Sequence, residues 1–405
     1  ELLAGITARE LKGLGVNFNL APVMDVNNNP ANPVIGVRSF SDQPEIAAEY
    51  GIAAVRGYQR EKVMACAKHF PGHGDTAVDS HLGLPVIDKT LEELEALELI
   101  PFRAVFENGI PAVMTSHILF PKLEKEKIPC TMSRHIITDI LKERLGFKGL
   151  VLSDCTEMDA IKKYYGTAKG AAAAMAAGVD MVFVSHTAEL LEQAILEVYR
   201  DVDDGKISLD EMEASVDKIL SYKEEYIDGE ASGQGCSEED RRTEQEIRRK
   251  SIVLTQGKLF PVGKNTFFTG CAGFRATLAS SENNRQVTFA EYMAEKFGGR
   301  ALLTSKNPDE NEIKAVSEKA AGADSIVIST YNGHLQPGQL ELVRALAEKQ
   351  LPVAVVALRN PYDLAELPEN VVGIAAWDNS LMTLKVLEEM FRGEWQPTGS
   401  LPIRL

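Results

Sequence analysis

Short apolar runs alternate with amphipathic helical patterns along most of the chain, and this alternation limits the fold more than any single motif. Between residues 1 and 228 the strand-like runs are VNFNLAPVMDV (16–26), VMACAKHF (63–70), AVMTSHILF (112–120), LVLSDC (150–155) and DMVFVS (180–185). Between them lie QPEIAAEYGIAAVRGYQ, TLEELEALELIPFRAVFENG, SRHIITDILKERLGF and GTAKGAAAAMAAG, which read as helices. Buried strands separated by helices of this length are βα units, and repeated βα units build a parallel sheet. Polar residues gather where the runs end: Asp25, Lys68 with His69, Ser116 with His117, Asp154, and Ser185 with His186. Chemistry at the C-terminal ends of successive strands is the habit of a (β/α) barrel, whereas a doubly wound open sheet concentrates it at one switch point.

Five such strands are clear, against eight in a complete barrel. The chain opens on ELLAGITARELKGLGVNF, an amphipathic helix running into a strand, with no initiator Met and no leader pattern. The expected fold is therefore a (β/α)8-type, TIM-like barrel lacking its first one or two βα units in this chain, with any signal peptide or lipid anchor lying upstream. Two helices, AELLEQAILEVYRDV and SLDEMEASVDKILSYKEEY, close this part. GEASGQGCSEEDRRTEQ (229–245) has no aliphatic side chain larger than Ala and reads as a linker. A second βα series follows, with runs NTFFTG, ALLTSK, SIVIST, PVAVVAL and VVGIAAW. The expected organisation is a barrel domain over 1–228, a linker over 229–245 and an α/β (αβα) sandwich over 246–405. No glycine-rich nucleotide fingerprint follows any of the later strands, and no cofactor is expected.

The net charge of −16 argues against nucleic acid or an anionic membrane as partner, since both need basic surface. No apolar run has the length of a membrane span. The five cysteines are scattered without CxxC spacing, which gives neither a disulfide framework nor a zinc motif and favours a reducing, cytoplasmic compartment over a secreted one.

The segment KHFPGHGDTAVDSHLGLPVID holds three of the seven histidines. His69, His73 and His81 fit no metal-binding spacing, and the residues after PGHG lack the helical period that a phosphate-cradling loop needs, so no metal is expected. Lys68 and His69 end a buried strand and should face the barrel mouth. Asp79 and His81 stand two apart, and in an extended segment they point the same way, so the carboxylate can fix the imidazole tautomer and raise its pKa toward acid/base duty. The competing reading is a loop histidine bonded to a turn aspartate. His73 reads as a residue of the PGHG turn. Asp154 follows buried strand residues, as a nucleophile or electrostatic partner, or else as the N-cap of the next helix. Arg38 in GVRSF is a binder of hydroxyls or carboxylates, or a surface arginine.

KHFPGHGDTAVDSH, NPANPVIGVRSF, a strand ending in SD and a terminal TGSLPI together resemble glycoside hydrolase family 3, in its β-N-acetylglucosaminidase branch of two-domain, Gram-positive-like members. The resemblance implies that Asp154 is the nucleophile of a retaining reaction, His81 the general acid/base and Asp79 its dyad partner. It also implies that Arg38, Lys68 and His69 bind sugar hydroxyls. The activity implied is an exo-β-N-acetylglucosaminidase acting on cell-wall GlcNAc–MurNAc fragments or chitooligosaccharides. A phosphorylase using the same machinery is the alternative among enzymes, and a non-catalytic sugar-binding module the alternative outside them. The family's DQEGG segment, with a sugar-binding Asp on an earlier strand, is not in the sequence.

Overall fold

In the first half of the chain the strand-like runs form a parallel sheet in sequence order. β1 (Phe18–Asn19), β2 (Met64–Phe70), β3 (Ala112–Thr115), β4 (Leu150–Cys155) and β5 (Met181–Phe183) pair as β1-β2-β3-β4-β5. The computed structural model describes residues 1–77, 83–227, 231, 233, 235–275 and 287–405. It divides into two compact units, Glu1–Asp240 and Arg241–Leu405, with the helix Glu238–Ser251 running across the division.

Successive side chains of a strand point to opposite faces, and here the two faces have different partners. Ala65 and Ala67 of β2, Val113 of β3 and Val151 of β4 join a buried cluster with Val55, Phe102 and Ile137 from the surrounding helical segments. Met64, Cys66, Ala112, Met114, Leu150 and Leu152 form a separate cluster on the inner face, against which Ile219, Tyr222 and Tyr226 of the helix Leu209–Tyr226 pack. Five sequential parallel strands with helices on the outer face are the architecture of a TIM-type (β/α) barrel, and here the helix Leu209–Tyr226 covers the inner apolar cluster. Counting on by two from Cys66 and Leu152 puts Lys68 and Asp154 on the inner face at the C-terminal ends of β2 and β4.

Two elements differ from expectation for reasons of backbone chemistry. The run 16–26 is ladder-forming only over Phe18–Asn19, because Pro22 has no N–H to donate. The chain nevertheless stays beside β2, with Cys66 N–H donating to the Ala21 carbonyl, Lys68 N–H to the Pro22 carbonyl and Met24 N–H to the Lys68 carbonyl. The pattern 90–109 splits into helices Leu91–Glu95 and Leu99–Glu107, with Pro101 in the first turn of the second. A proline is tolerated in a first turn but would break a continuous helix. Thr90 caps the first helix in a reciprocal box with Glu93.

The second unit is a six-stranded sheet between two helical layers. Its strands are β6 (Val253–Gln256), β7 (Thr266–Cys271), β8 (Arg300–Thr304), β9 (Ser325–Thr330), β10 (Val353–Ala357) and β11 (Val371–Ala375), in the order β6-β11-β10-β9-β7-β8. All neighbours are parallel except β6 with β11. One face packs on the helices Phe289–Phe297 and Leu381–Phe391, the other on Glu310–Lys319 and Pro337–Ala347. This is the expected α/β sandwich.

The fully buried ring of Phe102 stands edge-on to Phe70, at 5.6 Å between centroids, directly after Lys68 and His69. Phe102→Ala should cost about 3–5 kcal/mol, read as a lower urea midpoint for the unit that holds it, with the transition of the second unit unmoved.

Candidate active site

Near its end β2 carries a lysine and a histidine with different tasks. Lys68 continues the inner face, while the imidazole of His69, only 5% exposed, is held by Asp25. Asp25 is itself buried and takes three hydrogen bonds. Its Oδ2 accepts from His69 Nδ1–H at 2.7 Å, and its Oδ1 accepts from the backbone N–H groups of His69 at 3.1 Å and His73 at 2.7 Å. Burial works to push this carboxyl up, but the histidine bonds and fields outweigh it and hold it below the usual carboxylate range. With Nδ1–H committed to Asp25, His69 Nε2 presents its lone pair to Arg38 Nη2 at 3.4 Å. Burial pushes the His69 pKa down, more than Asp25 raises it, which agrees with a neutral ring.

The turn after β2 is fixed by its packing as much as by its glycines. His73 is buried, meets His69 edge-on at 5.7 Å and bonds Thr76 Oγ1 through Nδ1 at 2.8 Å; burial pushes its pKa down to about 4. Gly74 lies so close to the 16–26 segment that a Cβ there would collide with the Val26 carbonyl. Asn32 ties the neighbouring loop to this turn, donating to the carbonyls of His73 and Gly74 at 2.9 and 2.8 Å while accepting from the N–H groups of Val34 and Ile35. That loop delivers Arg38 on the short 3₁₀ turn Gly36–Arg38.

Asp154 stands across the mouth at the end of β4, partly exposed, with Oδ1 accepting from Cys155 N–H at 2.7 Å. Burial would raise its pKa, but its surroundings, with Lys68 and the Cys155 N–H bond among them, hold it below the ordinary value, so the carboxylate is ionised. His117, buried at the end of β3, donates from Nε2 to the Cys155 carbonyl at 3.0 Å and contacts Thr131 Oγ1 through Nδ1. Burial and the nearby Arg38 push the Lys68 pKa down, against the opposing pull of Asp154. Thus Lys68, His69 and Asp154, three of the six expected residues, lie at strand ends, and Arg38 reaches His69 from its loop. The other two, Asp79 and His81, lie outside the described residues. Asp25 and His117 were visible only as polar strand-end residues, with nothing local to give Asp25 its three donors. Among the described residues no group of three or more His, Cys, Asp or Glu side chains is arranged to hold a metal ion. An ionised, partly exposed carboxylate beside a lysine is arranged to attack or stabilise an electron-poor carbon, and neighbouring donors can take hydroxyl groups.

Asp75 and Lys89 flank the segment that carries Asp79 and His81. Lys89 Nζ pairs with Asp75 Oδ2 at 2.7 Å and with Glu98 Oε1, whose fully buried side chain leaves Oε2 without a hydrogen-bond partner. Burial raises the Glu98 pKa despite Lys89. Lys89→Met should therefore lose about 1–3 kcal/mol, less than a fully buried pair because Lys89 is partly exposed. A carboxyl whose folded pKa lies above its unfolded one costs stability when ionised, so the deficit should shrink as pH falls through that raised pKa. Urea unfolding of both proteins at about pH 8 and about pH 5 checks this; a deficit that grew in acid would contradict it.

The family model for the glycosyl hydrolase family 3 N terminal domain matches residues 2–222, more than half of the chain. The β-hexosaminidase A of Pseudoalteromonas piscicida is 33% identical over 247 residues, covering 57% of this chain and 41% of that protein. The β-hexosaminidase of Thiobacillus denitrificans is 36% identical over 198 residues, covering 49% of this chain and 54% of its own. The chain thus spans about half the length of these relatives. Among solved structures, a glycoside hydrolase family 3 β-N-acetylglucosaminidase from Paenibacillus sp. str. FPU-7 superposes with a TM-score of 0.91 at 36% identity, covering 99% of this chain and 79% of that one. A β-glucoside phosphorylase superposes with a TM-score of 0.82 at 20% identity, a likeness of fold. By its barrel model and this structural kinship, the chain belongs to glycosyl hydrolase family 3.

Proposed function

We propose that the chain is a retaining exo-β-N-acetylglucosaminidase, releasing terminal β-linked GlcNAc from cell-wall GlcNAc–MurNAc fragments or chitooligosaccharides. The observation that carries this reading is Asp154: a partly exposed carboxylate at the end of β4, held ionised beside Lys68 and the Cys155 N–H. The sugar specificity is supported by the β-hexosaminidase relatives and the β-N-acetylglucosaminidase structure. Catalysis is assigned to the domain over 1–228, with 229–245 as linker to the sandwich domain over 246–405.

In this mechanism Asp154 attacks the anomeric carbon as the glycosidic C–O bond breaks, and His81 gives its proton to the leaving oxygen. Asp79 holds the His81 ring in the tautomer that this transfer needs. The product of this half-reaction is a glycosyl ester on Asp154. His81, now neutral, then takes a proton from water as the water attacks the same carbon and frees the carboxylate. Arg38 and Lys68 donate to sugar hydroxyls. His69, fixed by Asp25, offers its imidazole edge beside them. A histidine acid is cationic before transfer and neutral after, so it sets no negative charge beside the incoming nucleophile. Phosphate could therefore replace water, with GlcNAc-1-phosphate as the product.

Asp154→Asn should lower turnover of an aryl-GlcNAc by about 10³-fold or more. His81→Ala should slow substrates with poor leaving groups by about 10²–10⁴-fold and good ones far less. A fluoro-sugar should add its glycosyl mass to the Asp154 peptide. Near-normal rates in both variants would refute the assignment, and a chain that takes no label would be a binding module. GlcNAc-1-phosphate formed in phosphate buffer would make the enzyme a phosphorylase.

A further inference from the structure

The order β8-β7-β9-β10 in the second unit has a topological reversal. β7 leads into the helix Phe289–Phe297 on one face of the sheet, and β9 leads into Pro337–Ala347 on the other. In sheets of this kind, the carboxyl ends of strands whose connections diverge in this way are the general place for ligands. The segments that leave β9 and its other neighbour, β10, carry buried polar residues beside this reversal, and several of their atoms lack partners.

The chain leaving β9 and the chain leaving β10 interlock at that edge. Asn332, in the left-handed region at φ 54°, accepts from the Asn360 N–H at 3.5 Å. His334 donates from its N–H and from Nδ1–H to Asp363 Oδ1, at 2.8 and 2.7 Å. The Asp363 side chain is fully buried, yet its Oδ2 has no hydrogen-bond partner. The same holds for His334 Nε2, Asn360 Oδ1 and Thr330 Oγ1, the last on a residue with no exposure at the end of β9. Gly333 packs against Asp363 with no side chain of its own, since a Cβ there would stand 3.3 Å from Oδ2.

Unsatisfied buried polar atoms are rare in folded proteins because each costs desolvation energy. These have a common character. Asp363 Oδ2 and Asn360 Oδ1 can only accept; His334 Nε2 accepts in the tautomer that Asp363 imposes; Thr330 can donate or accept. Their complement is a molecule rich in O–H donors. A cationic ligand is disfavoured, because Lys306 Nζ already sits 4.4 Å from the Phe274 ring centroid and Arg359 Nη1 lies 3.2 Å from Tyr331 Oη. Phe274 and Tyr331 pack at 4.9 Å between centroids and Tyr362 stands 5.4 Å from the His334 ring, giving apolar ring surface beside the polar atoms. Hydroxyls on one edge and C–H groups on a face are the pattern of a pyranose.

We propose that the carboxyl ends of β9 and β10 form a second carbohydrate site, taking a neutral monosaccharide unit through its hydroxyls at Thr330, His334, Asn360 and Asp363. The site is independent of turnover at Asp154. The full chain is titrated with GlcNAc while the His334 imidazole resonance, identified by its loss in His334→Asn, is followed by NMR. A saturable shift is expected, with the midpoint raised about tenfold in Asn360→Ala and in Thr330→Val, and both variants keeping the wild-type unfolding midpoint. Glucosamine, being cationic, should bind more weakly than GlcNAc. A crystal soaked in GlcNAc should carry sugar density on these four residues. No saturable shift, midpoints unchanged in both variants, or density for ordered water alone would overturn the proposal. Because the readout is local and non-catalytic, it stands or falls separately from the hydrolase reading.

Discussion

One buried carboxylate organises the barrel mouth. Asp25 has no aqueous surface, so its charge depends on the donors around it, and it collects three of them from a single turn of β2 and its continuation. Those bonds set the His69 ring and anchor the PGHG backbone. Asn32 then uses the anchored carbonyls of His73 and Gly74 to seat the loop bearing Arg38. The arrangement also divides labour among the charges. Asp25 is spent on the histidine, which leaves Lys68 acting on Asp154.

The inner face of the barrel was legible because a strand has a period of two. Counting from Cys66 to Lys68 and from Leu152 to Asp154 is enough to aim both side chains at the same space. The alternation of runs likewise gave the fold class of both halves. What could not be read is any relation spanning long sequence separation. Asp25 and Asp154 carry the same local signal, a carboxylate after an apolar run, yet one is buried under three donors and the other stays partly exposed at a strand end. The difference lies in partners 44 and 48 residues away from Asp25. Lys89 with Glu98 is a similar case, since a lysine in a polar stretch gives no sign of a fully buried carboxylate beneath it.

The second unit shows the same division between local and non-local information. Its strands are plain in the sequence, but their order is not, because nothing in a run such as SIVIST states that NTFFTG will lie beside it. The reversal between β7 and β9 exists only once the sheet is assembled. The absence of a glycine-rich fingerprint therefore spoke against one kind of ligand, a nucleotide held by its phosphates, and not against ligands held by side chains.

The floor beneath Lys68 and Asp154 is rich in sulfur. Met64, Cys66 and Met114 belong to the inner cluster, and Met181 packs against it. Thioethers are unbranched and polarisable, so this floor can reshape under a ligand without opening a void. The same softness is a chemical liability. Peroxide converts a thioether into a bulkier, polar sulfoxide, and a sulfoxide at any of these methionines would drive oxygen into the base of the mouth. Oxidative damage could thus silence the barrel from below while every polar group at its rim stayed chemically intact.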